Sequence, residues 1–121
     1  MLFFFSPSLP ACIWDCGLEI VPVSYLNKLY PNLGVIWFDA HADINKPCDS
    51  ASCNFHGMPL RTLLGEGEPK MATLLNSILK ESQIHYVGLR DIDVAEQKRI
   101  TAGAIYAPKN IDIDDLYVCK L

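Results

Sequence analysis

The clearest pattern along the chain is an uninterrupted apolar run at residues 34–38 that ends abruptly in polar residues. Such a run, rich in β-branched and aromatic side chains, predicts a strand buried on both faces of a parallel sheet. A second apolar run at residues 84–89 predicts another strand, and the polar loop 90–93 follows it. Residues 104–107 predict a third strand.

Apolar residues at helical spacing separate these runs. One stripe at i, i+3, i+4, i+7 and i+8 predicts an amphipathic helix that Pro69 opens; it consists of Met71, Leu74, Leu75, Ile78 and Leu79. Residues 95–102 predict a short helix that Gly103 ends. Residues 25–30 fit a helix end, and Pro22 favours a helix that begins at that proline, because an interior proline would remove a hydrogen bond.

The alternation of strands and helices predicts an α/β fold built from βαβ units around a parallel sheet. In such sheets, ligands bind at the carboxyl ends of the strands. Both polar clusters, residues 39–43 and 90–93, follow predicted strands, so both fall where a site is expected. No repeat or linker divides the chain, and residues 1–121 are therefore interpreted as a single domain.

Composition narrows the class of protein. Half of the 121 residues are hydrophobic and 20% are charged, which is typical of a globular domain. The net charge of -4 and the scattered basic residues argue against nucleic-acid binding. The apolar residues 1–5 are too few to span a membrane, and a buried strand or a frayed terminus is expected there. Five cysteines without a C-x-x-C pair predict reduced thiols and a cytoplasmic location.

Asp39, His41 and Asp43 form a D-x-H-x-D cluster immediately after the first strand. Alternate residues of an extended segment project the same way, so the three side chains can converge on one point. Two carboxylates and an imidazole suit a hard or borderline divalent ion such as manganese. The alternative is a solvated loop in which Asp43 serves as a turn or cap residue.

Three segments of the chain resemble the ureohydrolase family, and arginases most closely. The family reads DAHxDxN, SGNxHGxP and GLRDxD, and the matching segments here are residues 39–45, 52–59 and 88–93. The resemblance implies a three-layer α/β/α sandwich around a parallel sheet. It also implies a site for two Mn²⁺ ions, in which Asp39 bridges both ions, Asp43 binds one and His41 binds the other.

The same resemblance implies a substrate site for L-arginine. Asn45, Ser52 and Asn54 would hold the α-carboxylate, Asp93 would take the α-ammonium, and His56 would be the proton shuttle near the leaving amine. Metal-activated hydroxide would attack the guanidinium carbon and yield L-ornithine and urea. Read without the resemblance, the two asparagines are ordinary turn residues and His56 is a loop residue.

Two further positions near the site have interpretations of their own. Arg90 and Asp91 are interpreted as a structural ion pair rather than as catalytic groups. Glu96 fits either a residue behind the site or an acidic residue at a helix N-terminus, and the sequence does not decide between them.

The chain departs from the family pattern in three places. Cys16 occupies the place of a metal-binding histidine in the family's G-G-D-H-S segment, and a thiolate is a soft ligand poorly matched to manganese. Cys53 replaces a glycine of the second motif. The later D-x-D pair of the family is expected beyond Leu121. Residues 112–114 have the same D-x-D pattern, but they follow Asp93 too closely in sequence to be that pair. The chain is therefore expected to be an N-terminal and central fragment of an arginase-like domain.

These observations leave three functional hypotheses. The first is an arginase-type hydrolase with a small-molecule guanidino substrate. The second is a catalytically inactive remnant that acts only through binding or subunit pairing. The third is an agmatinase-like or formimidoylglutamase-like hydrolase of the same family. The family commonly forms oligomers, so a homo-oligomer is an expectation that the resemblance adds.

Overall fold

The computed structural model describes residues 2–4, 12–13, 16–50, 52–103, 105 and 107. The regular elements, in chain order, are β1 (Leu2–Phe4), β2 (Cys12–Ile13), α1 (Ile20–Leu29), β3 (Val35–Phe38), α2 (Pro59–Leu63), α3 (Pro69–Ala72), β4 (Ile84–Val87) and α4 (Val94–Ala102). Short 3-10 turns cover Cys16–Glu19, Phe55–Gly57 and Glu81–Gln83. Within these described ranges, none of the helices has the length and apolar character needed to cross a bilayer.

The strands form one sheet in the order β2-β1-β3-β4. The pair β3 and β4 is parallel, with Val35 opposite Ile84 and Phe38 opposite Val87, which confirms the predicted parallel pairing. The strand β1 runs antiparallel to β3 and to β2, so the sheet is mixed at its N-terminal side. The third strand predicted at residues 104–107 lies partly outside the described residues, and neither Ile105 nor Ala107 belongs to a strand.

The core lies against one face of the β3–β4 pair. Val35 and Trp37 of β3 are buried, whereas the alternate residues Ile36 and Phe38 are only partly covered. The same alternation holds in β4. The prediction of a strand buried on both faces is therefore confirmed for one face only. The apolar cluster on that face includes Ile20, Val23, Leu60, Leu63, Ile84, Tyr86 and Ile100.

The first helix begins before the predicted position. It starts at Ile20 rather than at Pro22, which places the proline in the first turn. The backbone amides of a first turn have no partner within the helix, so the missing N–H of proline costs nothing there. The helix ends at Leu29, within the residues 25–30 predicted as a helix end, and a turn at Pro31 and Asn32 follows it.

The prediction of a continuous helix through residues 71–79 is wrong. The helix α3 ends at Ala72, and the segment after it is hydrogen-bonded to α1 instead. The backbone amide of Asn76 donates to Ser24 Oγ at 3.1 Å, and Ser77 Oγ donates to the carbonyl of Ser24 at 2.7 Å. These tertiary hydrogen bonds replace helical ones. Of the five apolar residues in the predicted stripe, only Leu79 is buried.

The last described helix confirms its prediction within one residue. It covers Val94–Ala102, and Gly103 follows its end. Asp93 is the N-cap residue, and its side chain accepts a hydrogen bond from the backbone amide of Glu96. A cap of this kind satisfies an amide that the helix itself leaves open. Because Asp93 sits in the loop after β4, this cap also fixes part of the predicted site.

Candidate active site

The loops that follow β3 and β4 are joined through their backbones. The amide of Asp39 donates to the carbonyl of Val87 at 3.2 Å, which extends the parallel pairing by one residue. The carbonyl of Ala40 then accepts from the amides of both Arg90 and Asp91, at 3.0 and 2.8 Å. The two polar clusters that the sequence places after separate strands therefore lie side by side at one edge of the sheet.

His41 lies between two carboxylates. Its Nδ1 is 3.3 Å from Asp39 Oδ1, and its Nε2 is 3.4 Å from Asp91 Oδ2. The amide of His41 also donates to Asp39 Oδ1 at 2.9 Å, so this carboxylate folds over its own loop. The predicted ion pair between Arg90 and Asp91 is wrong, because Asp91 faces His41 and Arg90 Nη1 donates to the carbonyl of Gly88 at 3.1 Å. Asp91 therefore lies beside His41 in this cluster, whereas the sequence analysis paired it with Arg90.

Asp43 faces the interior, unlike His41. Its backbone has a φ of 52°, and the residue is 4% exposed. Its carbonyl accepts from the amide of Leu60 at 3.0 Å, which ties the loop to α2. Beneath the loop, burial first and the negative charge of Asp43 second raise the pKa of the Tyr86 hydroxyl. The left-handed backbone at Asp43 means that the loop is not the regular extended segment assumed from the D-x-H-x-D spacing.

The donor set and its arrangement give different answers about a metal ion. Asp39, His41 and Asp43 offer oxygen and imidazole donors, which are the chemistry that manganese accepts. Yet in the described part of the chain no three His, Cys, Asp or Glu side chains stand together as a group able to hold a metal. The residue types fit the ion, whereas their present placement does not assemble a complete site, and the metal role of the three residues stays a prediction.

Asn45 and Asp93 meet across the two loops. Asn45 Nδ2 donates to Asp93 Oδ2 at 2.6 Å, although 48 residues separate them in sequence. The amide of Asn45 donates to the carbonyl of Gly57 at 3.1 Å, so Asn45 also holds the turn that carries His56. Desolvation acts to raise the pKa of Asp93, but hydrogen bonds from the Glu96 amide, the Asn45 side chain and the Ala95 amide outweigh it and lower that pKa.

Glu96 completes the cap of α4. Glu96 Oε2 accepts from the amide of Asp93 at 3.1 Å, while Asp93 Oδ1 accepts from the amide of Glu96 at 2.9 Å. This reciprocal pair is a capping box. Glu96 is buried, and desolvation raises its pKa. Glu96 fits both interpretations that the sequence left open, because it caps α4 and also lies buried behind Asp93, with a hydrogen bond from the backbone amide of Ile44.

The segment of Ser52, Cys53 and Asn54 forms an exposed loop before the turn at Phe55–Gly57. Ser52 Oγ accepts from the amide of Asn54 at 3.3 Å, and Ser50 Oγ accepts from the amide of Cys53 at 3.1 Å. Cys53 has a φ of 54°, in the left-handed region that glycine adopts at little cost. Cys53, which stands in the place of the glycine of the family motif, thus adopts the left-handed backbone conformation that glycine favours. His56 is exposed on the adjoining turn.

Asp93 lines an open cleft of about 720 Å³, with basic residues around it. Arg61, Lys98 and Arg99 lie on its walls. Arg61 is 7% exposed and pairs with Glu66 at 2.9 Å, and sequence reasoning missed it because an isolated arginine within a short helix carries no motif. Asp93 lines this cleft, whereas the other predicted substrate residues, Asn45, Ser52, Asn54 and His56, do not.

The parallel strand pair brings carboxylates, an imidazole and an asparagine together at the carboxyl ends of its strands, where enzymes with α/β folds bind their ligands. The profile of the family described as Arginase family matches residues 20–118. The chain belongs to the arginase family.

Individual relatives agree with this assignment. The arginase of Staphylococcus aureus strain MRSA252 is 44% identical over 102 residues, which cover 84% of this chain and 34% of the relative. The hepatic arginase of Aquarana catesbeiana is 34% identical over 112 residues, covering 88% of this chain and 35% of the relative. The chain spans about a third of the length of the curated relatives it matches.

Solved structures agree on the fold. Entamoeba histolytica arginase, in complex with L-ornithine, superimposes with a TM-score of 0.71 and 37% identity, over 78% of this chain and 33% of that one. The native arginase of Bacillus caldovelox has a TM-score of 0.71 and 36% identity, over 76% and 31% of the two chains. The α/β fold expected from the sequence is thereby confirmed as an arginase fold, of which this chain contains a part.

Proposed function

We propose that this chain contributes the amino-acid-binding part, and some of the manganese ligands, of an arginase-type hydrolase that converts L-arginine to L-ornithine and urea. Its relatives are arginases, and one related structure is a complex with L-ornithine. The observation that carries the proposal is the 2.6 Å contact between Asn45 and Asp93.

The contact matters because of the shape of an α-amino acid. The carboxylate and the ammonium of such a substrate are attached to the same carbon atom, so the groups that bind them have to be neighbours. Asn45 is the expected partner of the carboxylate, and Asp93 is the expected partner of the ammonium. Two loops far apart in sequence place these side chains within one hydrogen bond of each other. A bound amino acid would exchange this hydrogen bond for one contact to each of its charged groups.

The charge state of Asp93 supports its assigned role. An aspartate is ionised at neutral pH, and the hydrogen bonds that lower the pKa of Asp93 favour this form further, which is the form that binds an ammonium group. Asp93 is also one of the residues that line the open cleft. Ser52 and Asn54, on the exposed loop before the turn, supply a hydroxyl and an amide for the substrate carboxylate.

The reacting end of the substrate would lie toward the loop after β3. Asp39, His41 and Asp43 would hold manganese, and bound manganese would supply an activated water for hydrolysis of the guanidinium group. The exposed imidazole of His56 would carry a proton to the leaving amine nitrogen, as its motif in the family implies. In the overall reaction, one arginine and one water molecule give one ornithine and one urea.

A second candidate function is that of an inactive remnant which binds an amino acid or a partner subunit without catalysis. One specific observation favours it: within the described ranges, no three metal-ligating side chains are grouped. Cys16, in the place of the family's metal histidine, agrees with this reading because its thiol is poorly matched to manganese.

An agmatinase-like activity is the third hypothesis. The α-carboxylate of the substrate distinguishes it from an arginase activity. Agmatine has no carboxylate, so an agmatine site has no need of Asn45, Ser52 and Asn54 as a set.

The free, exposed thiols of Cys48 and Cys53 support a reducing, cytoplasmic location. A homo-oligomer remains an expectation of the family resemblance.

The binding proposal is tested by NMR titration of the isotopically labelled chain with L-ornithine and, separately, with putrescine. Putrescine is ornithine without its carboxylate. We expect the side-chain amide of Asn45 and the backbone amides beside Asp93 to shift with L-ornithine and to shift little with putrescine. The substitution Asn45→Ala should abolish the response, whereas Asn32→Ala, in an exposed turn, should leave it unchanged. Equal responses to both ligands would contradict the proposed carboxylate site.

The catalytic part of the proposal is tested by elemental analysis for manganese after dialysis, together with a urea assay on L-arginine. About two ions per chain with urea release would support the arginase reading. Near-zero manganese and no urea, with ornithine binding retained, would support the remnant that only binds. Urea released from agmatine at the same rate as from L-arginine would favour the agmatinase-like reading.

A further inference from the structure

Two exposed free thiols lie five residues apart in the loop between β3 and α2. Cys48 belongs to the turn after Pro47, and Cys53 lies at the strained position before Asn54. The turn is closed by hydrogen bonds from the amides of Asp49 and Ser50 to the carbonyl of Lys46, at 3.0 and 3.1 Å. This turn brings the chain back toward itself between the two cysteines.

The position of the Cys53 sulfur shows how close the approach is. Cys53 Sγ lies 3.6 Å from the carbonyl oxygen of Ser50 and 3.9 Å from that of Pro47. Pro47 immediately precedes Cys48, so standard peptide geometry places Cys53 Sγ within about 7 Å of the Cys48 α-carbon. A cysteine sulfur lies about 3 Å from its own α-carbon, so the two sulfur atoms are at most about 10 Å apart. A disulfide needs α-carbons about 4–7 Å apart, so the exposed loop has to move by a few ångströms to close the bond.

Among the described residues, both thiols make only long hydrogen bonds within their own loop. Cys48 Sγ lies 3.6 Å from Asp49 Oδ1, and Cys53 Sγ is held only by its two carbonyl contacts. Both residues are exposed, and thiol–disulfide exchange requires such access. Cys53 also has a left-handed backbone with a φ of 54°, which is unfavourable for a residue with a side chain.

We propose that Cys48 and Cys53 form a dithiol site that reacts with small-molecule disulfides, such as oxidised glutathione, and closes an internal disulfide. One cysteine thiolate attacks the small disulfide, forms a mixed disulfide and releases one glutathione thiolate. The second cysteine thiolate then attacks the protein sulfur of that mixed disulfide and releases the second glutathione thiolate. The two cysteines are oxidised to one disulfide, oxidised glutathione is reduced to two thiols, and the two cysteine protons pass to solvent or to the released thiolates.

The disulfide would reshape the loop that carries Ser52 and Asn54. These residues flank Cys53, and the hydrogen bonds of the loop run through Ser50 Oγ and Ser52 Oγ. Closing the bridge would pull Cys53 toward Cys48 and displace both neighbours. If the proposed substrate site is correct, oxidation would also weaken binding of the substrate carboxylate; this consequence rests on the proposed function, whereas the disulfide itself does not.

The experiment equilibrates the folded, fully reduced chain with mixtures of reduced and oxidised glutathione, followed by acid quenching, trypsin digestion and mass spectrometry. Trypsin does not cut between Lys46 and Pro47, so residues 29–61 form one peptide that contains Cys48 and Cys53 and no other cysteine. We expect this peptide to lose the mass of two hydrogen atoms and to carry no glutathione. A second digestion that cleaves before aspartate should leave the fragments 43–48 and 49–61 joined until a reductant is added.

Matched variants and an unfolded control make the outcome decisive. Cys48→Ser and Cys53→Ser should each leave one glutathione on the remaining cysteine. The folded turn holds the two residues near each other, and concentrated urea removes this restraint. In urea, the effective concentration of one thiol at the other should therefore fall by a factor of about ten or more. Two glutathione adducts on the folded chain, pairing with Cys12, Cys16 or Cys119, or the same effective concentration in urea would each overturn the proposal.

Discussion

The hydroxyl of Tyr86, in the middle of β4, donates a 2.6 Å hydrogen bond to the carbonyl oxygen of Ala42, in the loop after β3. Both residues are buried, Tyr86 at 1% exposure and Ala42 at 0%. The bond joins the core of the sheet to the segment between His41 and Asp43. The position of the candidate metal-binding loop thus depends on a residue that belongs to none of the three motifs.

The substitution Tyr86→Phe tests this support. It keeps the ring in the core and removes the hydroxyl, which leaves the buried carbonyl of Ala42 without this hydrogen bond. We expect the free energy of unfolding to fall by about 1–3 kcal/mol. Urea denaturation followed by fluorescence measures the change. Tyr25→Phe, at a half-exposed residue of α1, should change the stability by much less; equal effects of both substitutions would show that the hydrogen bond contributes nothing specific.

The ionisation of Asp93 predicts a loss of stability in acid. Its pKa is lowered in the folded chain, so its contribution to stability is complete above the unfolded pKa of about 4 and is lost as the pH falls through the folded pKa. Asp93→Asn keeps a residue able to cap α4 and removes the titration. Denaturation midpoints measured between neutral pH and pH 2 should therefore fall less steeply for the variant. Parallel curves for the two proteins would rule this contribution out.

Glu96 predicts the opposite dependence on pH. Desolvation raises its pKa, so its contribution to stability is complete below the unfolded pKa of about 4 and is lost as the pH rises through the folded pKa. Glu96→Gln keeps an acceptor for the amide of Asp93 and removes the buried charge. We expect the variant to gain stability relative to the parent chain as the pH rises toward 7. Asp49→Asn makes the same change of charge at an exposed position and should show no such gain.

The close approach of Gly67 to Thr62 predicts a steric requirement after α2. A β-carbon at Gly67 would overlap Thr62 Oγ1 and would lie 2.7 Å from Thr62 Cα. The second of these atoms belongs to the backbone of a buried helix and cannot rotate away. We expect Gly67→Ala to lower the free energy of unfolding by about 1–3 kcal/mol, as overpacking usually does.

A matched glycine provides the control. A β-carbon at Gly34 would have no atom within 4 Å, so Gly34→Ala should leave the stability unchanged or raise it slightly. Chemical denaturation of both variants measures the difference. A Gly67→Ala chain as stable as the Gly34→Ala chain would mean that the backbone after α2 relaxes without cost.

Local sequence patterns predicted the elements whose conformation depends mainly on residues within or next to the element itself. The apolar runs gave β3 and β4 because β-branched and aromatic side chains favour strands, and the position of the polar loops at their carboxyl ends followed from parallel pairing. The helix after Asp93 was predictable because its capping residue and its terminal glycine are both adjacent to it in sequence. The motifs likewise identified Asn45 and Asp93, although their contact lies across 48 residues.

Tertiary structure decided what depended on distant partners. Residues 73–79 have a helical pattern, but hydrogen bonds to Ser24 and Asn27 of α1 hold Asn76, Ser77 and Ile78 outside a helix. The two ring nitrogens of His41 face Asp39 and Asp91 because the loops after β3 and β4 share the carbonyl of Ala40. The sequence by itself determined the strands β3 and β4, the helix α4 and a set of ligand-type side chains. The direction in which those side chains point was settled only by packing, because it is the neighbours across the fold that satisfy the polar groups of a loop.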